Sequence, residues 1–275
     1  GLGASSGPVW TDISLMKAYS AFYLNSKDGK KQVCMLTGDS THITWQHLKG
    51  AFSLNGNAKI ISANDSSNFT YRGRFTDPEE AASVGYLASQ KAHNALKWLI
   101  STQGTIQGNR AFVCWNPQGK SVPKLTIPLL SFVDEEPSVP SYRNYRNDLR
   151  KKLTGYQENW CPSDQVVIAA FDAATTGRLA ITYYNELQGS DFLERLAYWD
   201  ETCCWLDGNR GVLSPTLYQI IAYSLGTQRG DEGKMEPDEK IIAPQMQRLL
   251  SCRIDQRVTV IAVLKGRGSS RDNLH

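Results

Sequence analysis

The chain has 275 residues, of which 41% are hydrophobic and 21% charged, enough to bury a substantial core and to exclude a disordered or fibrous chain. Thirty basic against 27 acidic side chains leave a net charge of +3, so a uniformly basic surface is excluded and any polyanion site is a local concentration of charge. No apolar run approaches the roughly 20 residues that span a bilayer, so a soluble chain with no membrane partner is expected.

In chain order, Gly1 to Pro8 reads as a flexible lead-in, and the polar stretch from Gly266 to His275 closes no element, so both ends look cut from a longer polypeptide. A first strand is predicted at Lys31 to Leu36, and Lys59 to Ala63 with Phe69 to Phe75 reads as a hairpin around Asn64-Asp65-Ser66-Ser67. Within the second arm Arg72 and Arg74 flank Gly73, and Phe69, Tyr71 and Phe75 interleave with them. Two readings of that alternation stand. In one, the aromatics face a core and the arginines are solvated. In the other, the guanidiniums fork onto phosphate oxygens and the rings offer stacking faces to bases.

Asp77-Pro78-Glu79-Glu80 supplies an N-cap, a proline at the first helical position and two acids against the dipole, so a helix is predicted from there to about Thr102, before Gly104. Tyr86, Gln90, His93 and Lys97 form a polar stripe on it, either a solvated face or part of a cationic wall along a phosphate backbone. A strand follows at Ala111 to Trp115, then a proline-rich excursion from Pro117 to Pro140. A helix is expected at Tyr142 to Leu153, where Arg143, Arg146 and Arg150 recur at helical spacing and read as its exposed face.

Gln165 to Ala170 and Leu179 to Tyr184 form a hairpin pattern with Arg178 at its tip. Helices are predicted at Ser190 to Trp205, capped by Ser190 or Asp191, at Ser214 to Leu225, and at Pro237 to Cys252. The balance shifts towards helix near Gly189, which sets a soft boundary between an α+β domain at 1–188 and a helical subdomain at 189–275. The fold class is α+β: a mixed or antiparallel sheet with helices packed on one side, followed by a mainly helical part.

Signatures of catalysis do not appear. There is no glycine-rich dinucleotide loop, no phosphate-cradling loop ending in Gly-Lys-Ser/Thr, and no Gly-x-Ser-x-Gly elbow. Six scattered cysteines lack the paired spacing of a zinc site and fit reduced cytoplasmic thiols; Cys203-Cys204 reads as core packing. His42 and His47 with Asp39, or Asp164, Asp172 and Asp191 as a two-metal cluster, are the alternatives for a metal-dependent nuclease. The expected site is therefore non-catalytic, with no metal and no cofactor.

Phe69 to Phe75 (FTYRGRF), Ser89 to Ile100 (SQKAHNALKWLI), Phe112 to Pro117 (FVCWNP) and Asp172 to Leu187 (DAATTGRLAITYYNEL), in that order and approximate spacing, together resemble the large subunit of the type I-C CRISPR Cascade. The similarity continues through Gly189 to Leu193 and Trp199 to Trp205, although Asp200 stands where the family has a histidine. Members of that family are longer, so this chain resembles their central portion.

The resemblance implies a prokaryotic, cytoplasmic, non-catalytic subunit of an RNA-guided complex. Its partners would be double-stranded target DNA and its displaced strand, the crRNA-containing backbone subunits, and a separately recruited helicase-nuclease. Arg72 and Arg74 are then the foremost candidates for DNA contact, followed by Lys59, Tyr71, Gln90, Lys91, His93, Lys97 and Arg178. A purely structural assembly subunit, its cations paired with neighbouring subunits, is the third reading.

Overall fold

The first regular element begins where a carboxylate meets two unpaired amides: Asp12 accepts from the N–H groups of Ser14 at 2.8 Å and Leu15 at 3.2 Å and caps α1, Ile13–Asn25. In this computed structural model, residues 8, 11–26, 31–52, 56–62, 75–130, 141–175, 177–207, 211–229 and 234–256 are described. The chain divides into two units, Gly1–Lys49 with Ile61–Ala95 and Gly50–Ile60 with Leu96–His275.

In the first unit, α1 buries no residue, and Ile13, Met16, Tyr19 and Phe22 on it are exposed. The predicted first strand is shorter than its apolar pattern: β1, Lys31–Val33, pairs antiparallel with β2, Ser40–His42, with Gln32 opposite Thr41. The predicted helix at Asp77 is interrupted. A single turn, α2 (Pro78–Ala81), gives way to extended chain before α3, Tyr86–Gln103.

Tertiary pairing explains the break. Met35 donates to the Ser83 carbonyl at 2.8 Å, Thr44 donates to the Val84 carbonyl at 3.0 Å, and Ile43 bridges Gly85. These bonds hold the segment against the β1–β2 hairpin and override its helical propensity. Gly85 permits the approach, since a Cβ there would lie 2.7 Å from Thr41 Cγ2.

The second unit is built on a four-stranded antiparallel sheet made, in this order, of β3, Thr105–Gln107, β4, Arg110–Trp115, and two longer strands from residues 165–175 and 178–188. α4, Tyr142–Gln157, starts at Ser141, whose hydroxyl accepts from the Asn144 N–H, and turns Tyr145 and Leu149 inward. The hairpin pattern forms as expected and extends further: β5, Gln165–Thr175, and β6, Arg178–Gln188, are joined at Gly177, whose φ of +105° suits glycine.

Next come α5 (Gly189–Cys203), the short hairpin of β7 (Trp205–Asp207) and β8 (Gly211–Leu213), and α6 (Leu217–Leu225), which opens with a Thr216/Gln219 capping box. The pair of β9, Thr227–Arg229, and β10, Lys234–Glu236, leads to α7, Glu239–Asp255, capped by Asp238. Gly189, where the sequence changes character, is thus the first residue of a helix inside this second unit.

The fold class is α+β as expected, but both faces of the sheet are covered rather than one. Alternation sends Phe112, Cys114, Ile168 and Ala170 to one side, against Leu149, Phe192, Leu196, Ile221 and Leu249 from α4 to α7. Ala111, Val113, Ala169 and Phe171 face the other way, against Phe52, Ala58 and Ile100. Burial on both faces is why β4 reads as an unbroken apolar run. No helix among the described residues is long and apolar enough to cross a membrane.

Candidate nucleic-acid interface

Of the residues expected to meet nucleic acid, Tyr71, Arg72 and Arg74 lie outside the described residues, as does Phe69; Phe75 is described and half-buried. Two others, distant in sequence, are brought together in the second unit. Lys59 forms a parallel bridge with Arg178: its N–H donates to the Gly177 carbonyl at 3.2 Å, and its own carbonyl accepts from Leu179 at 2.8 Å. Arg178 is exposed and Lys59 half-buried, so two cations stand side by side at the end of the β5–β6 hairpin. The position of Arg178 is set by the hairpin. That of Lys59 is set by backbone pairing that no local pattern announces.

The polar stripe of α3 divides. Lys91 and Lys97 are exposed and Gln90 is half-buried, as a solvent face requires. His93 instead is buried: its Nδ1 lies 2.7 Å from the Ser89 carbonyl, which fixes Nδ1 as the donor, and its ring stacks on His47 at 5.9 Å between centroids. His47 Nδ1 meets the Ser89 hydroxyl at 2.9 Å. Ser89, small and one turn before His93, allows both rings to close over it. At the start of the stripe Tyr86 packs on Tyr23, with centroids 5.0 Å apart, and burial raises its pKa. The outward cations of α3 are therefore Lys91 and Lys97.

The carboxylates weighed as a metal cluster are engaged separately. Asp172, which follows the first predicted arm of the hairpin, is inside β5, where its two oxygens accept from Asn109 Nδ2 at 2.7 Å and Arg110 Nε at 2.9 Å. Arg110 also donates to Gln247 at 2.7 Å, linking the sheet to α7. Asp164 accepts from Lys120 Nζ and from the Cys161 N–H, both at 2.6 Å; the lysine bond, then the amide, holds its pKa below the usual carboxylate value.

Asp164 precedes β5 and Asp191 follows β6 at the same end of the hairpin, whereas Asp172 is about 27 Å further along the strand at roughly 3.4 Å per residue. Among the described residues, no group of three or more His, Cys, Asp or Glu is placed to hold a metal ion. All six cysteines are free thiols. Burial raises the pKa of Cys203 and Cys204, whereas the Gly85 amide, donating to Cys34 Sγ at 3.2 Å, lowers that buried thiol to about 7.

One buried arrangement has almost no trace in the sequence. Asp200 pairs with Arg253 of α7 at 2.9 Å, with both side chains at most 1% exposed. Arg253 Nη1 donates to the Leu125 and Ile127 carbonyls at 2.7 and 2.9 Å, and the second Asp200 oxygen accepts from the Leu129 N–H at 2.6 Å. Burial pushes the Asp200 carboxyl up while Arg253, whose guanidinium stays charged, opposes that shift, and both Asp200 oxygens are engaged as acceptors. It ties the proline-rich excursion to α5 and α7. Its only sequence signal is an arginine on the apolar face of a helix.

The family model described as CRISPR-associated protein (Cas_Csd1) matches residues 2–259 of the chain. No curated protein matches it.

Proposed function

This chain belongs to the Cas_Csd1 family of CRISPR-associated proteins, and from that premise we propose that it is a non-catalytic large subunit of a type I-C Cascade. In that role it works in a prokaryotic cytoplasm beside crRNA-bearing backbone subunits, contributes to binding of target DNA and its displaced strand, helps read the short flanking motif, and supports assembly. Cutting is left to a recruited helicase-nuclease. The observation that carries the reading is the family match over 2–259, which includes every segment of the sequence resemblance. In such complexes base pairing with the guide reads sequence, and protein supplies backbone contacts and motif reading. Paired cations such as Lys59 and Arg178 suit that division of labour, as do Lys91 and Lys97.

The test uses the assembled complex on target duplex. The Arg72→Ala/Arg74→Ala variant is expected to bind more weakly and to lower the salt slope by about 0.9 for each phosphate no longer neutralised. Lys59→Ala/Arg178→Ala is expected to do the same. Affinity and slope equal to the parent's would remove these side chains from the interface. A complex that assembles poorly yet binds DNA normally once formed would make the chain a structural wedge.

A further inference from the structure

α4 carries Arg143, Arg146, Arg150, Lys151 and Lys152 against the single acid Asp148, a net charge of +4 on one helix where the whole chain has +3. All five cations are exposed, because Tyr145 and Leu149 take the buried side. The C-terminal half of α4, with Lys120 opposite, encloses an open groove of about 640 Å³.

Two aromatic rings line the groove, Tyr156 and Trp160, edge to face with centroids 6.2 Å apart. Trp160 is held from two sides. Its indole N–H donates to the Ser121 carbonyl at 3.2 Å, and its ring lies over Gly189, where a Cβ would come within 2.5 Å. Lys152 Nζ lies 6.0 Å from the Tyr156 ring centroid. Asp164 holds Lys120 and Asp148 holds Lys151, while Lys152 has no ion pair among the described residues.

Gly155 is the least expected residue here. A glycine inside a helix lowers stability, and neither backbone conformation nor packing requires this one: its φ is not positive, and a Cβ built on it would meet nothing within 4 Å. What its missing side chain provides is room beside the rings.

We propose that this groove binds unpaired nucleic acid, one base stacking against Tyr156 and Trp160 and the flanking phosphates running past Lys152 and Lys151 along α4. Unpaired strands fit because a duplex keeps the faces of its bases stacked, whereas a single strand can present one to a ring. The site uses none of the residues named above for DNA contact; it deepens the displaced-strand part of that reading and rests on it, while the groove variants and the Arg72/Arg74 variant test the two surfaces separately.

Fluorescence anisotropy on the full chain, with labelled oligodeoxythymidylate, oligouridylate and a blunt duplex, tests it. Lys151→Ala/Lys152→Ala is expected to weaken single-strand binding about tenfold and lower the salt slope by about 1.4, near 0.7 for each phosphate neutralised. Gly155→Leu, which fills the groove, is expected to weaken it about fivefold or more with the salt slope unchanged and the thermal midpoint equal or higher. The better-bound of the two oligonucleotides identifies the strand as DNA or RNA. Arg72→Ala/Arg74→Ala is expected to keep single-strand affinity while losing duplex affinity. The proposal is overturned if the parent does not bind single strands, if either groove variant binds them like the parent, if duplex binding falls equally, or if polyglutamate competes as well as the oligonucleotide.

Discussion

Asp200 and Arg253 show how much one charge depends on another once water is gone. Removing either partner leaves an uncompensated charge in a dry site, a loss that typically reaches about 3–5 kcal/mol. Asp200→Ala is expected to destabilise the chain by that amount in urea unfolding, and Asp200→Leu/Arg253→Met to recover most of it. A double variant no more stable than the single one would mean that the bonds of Arg253 to the Leu125 and Ile127 carbonyls outweigh its charge pairing. The more accessible pair, Lys120 and Asp164, has a pH signature. The folded-state pKa of Asp164 lies below its unfolded value, so its stabilisation is present above the ordinary carboxylate range and is lost as pH falls through the lowered value. Lys120 is raised by the same bond, so the pair weakens again only as pH climbs through the raised lysine value. Thermal melts below about pH 4 are therefore expected to show the parent converging on Asp164→Asn, with the two separated at neutral pH.

At the scale of elements, the break between α2 and α3 depends on Gly85. Gly85→Ala places a methyl 2.7 Å from Thr41 Cγ2 and 3.4 Å from Cys34 Sγ, and is expected to cost about 1–3 kcal/mol, whereas Gly155→Ala on α4 stabilises or is neutral. Hydrogen exchange of the Met35 and Thr44 amides, which bond the extended segment, would report the local loosening. The same break marks where local pattern misleads. The Asp-Pro-Glu-Glu signal starts a helix correctly, but pairing with Met35 and Thr44 ends it after one turn, and nothing local encodes that pairing. α1 is invisible to pattern because it buries no residue, so its apolar side chains trace no inward face. Strands of three residues, such as β3 and β7 to β10, are too short for a two-residue alternation to emerge. β4, α4 and the β5–β6 hairpin are legible because local signals, a short apolar run in β4 and β5 and a capped helix in α4, agree with the tertiary outcome.

At the largest scale, the sheet buried on both faces is the frame of the second unit. Leu196→Ala, at the centre of the helical side of that core, is expected to lower stability by about 2–5 kcal/mol in a denaturant titration. A complementary expectation concerns chemistry: incubated with labelled DNA and RNA in Mg²⁺ or Mn²⁺, the chain is expected to leave both intact, and divalent-dependent cleavage abolished by Asp172→Ala would reverse the non-catalytic reading. The site is legible only in part. Exposed lysines on a helix and an arginine at a hairpin tip follow from local pattern, whereas the closeness of Lys59 to Arg178 and the burial of His93 are set by contacts that composition and spacing do not carry. The concentration of charge on α4 has a kinetic consequence. Without that helix the chain is net −1, since the +3 of the whole includes the +4 of α4. A polyanion arriving by diffusion meets a local field at that helix much stronger than the modest total charge suggests, so salt is expected to slow the rate of encounter more than a net +3 would imply.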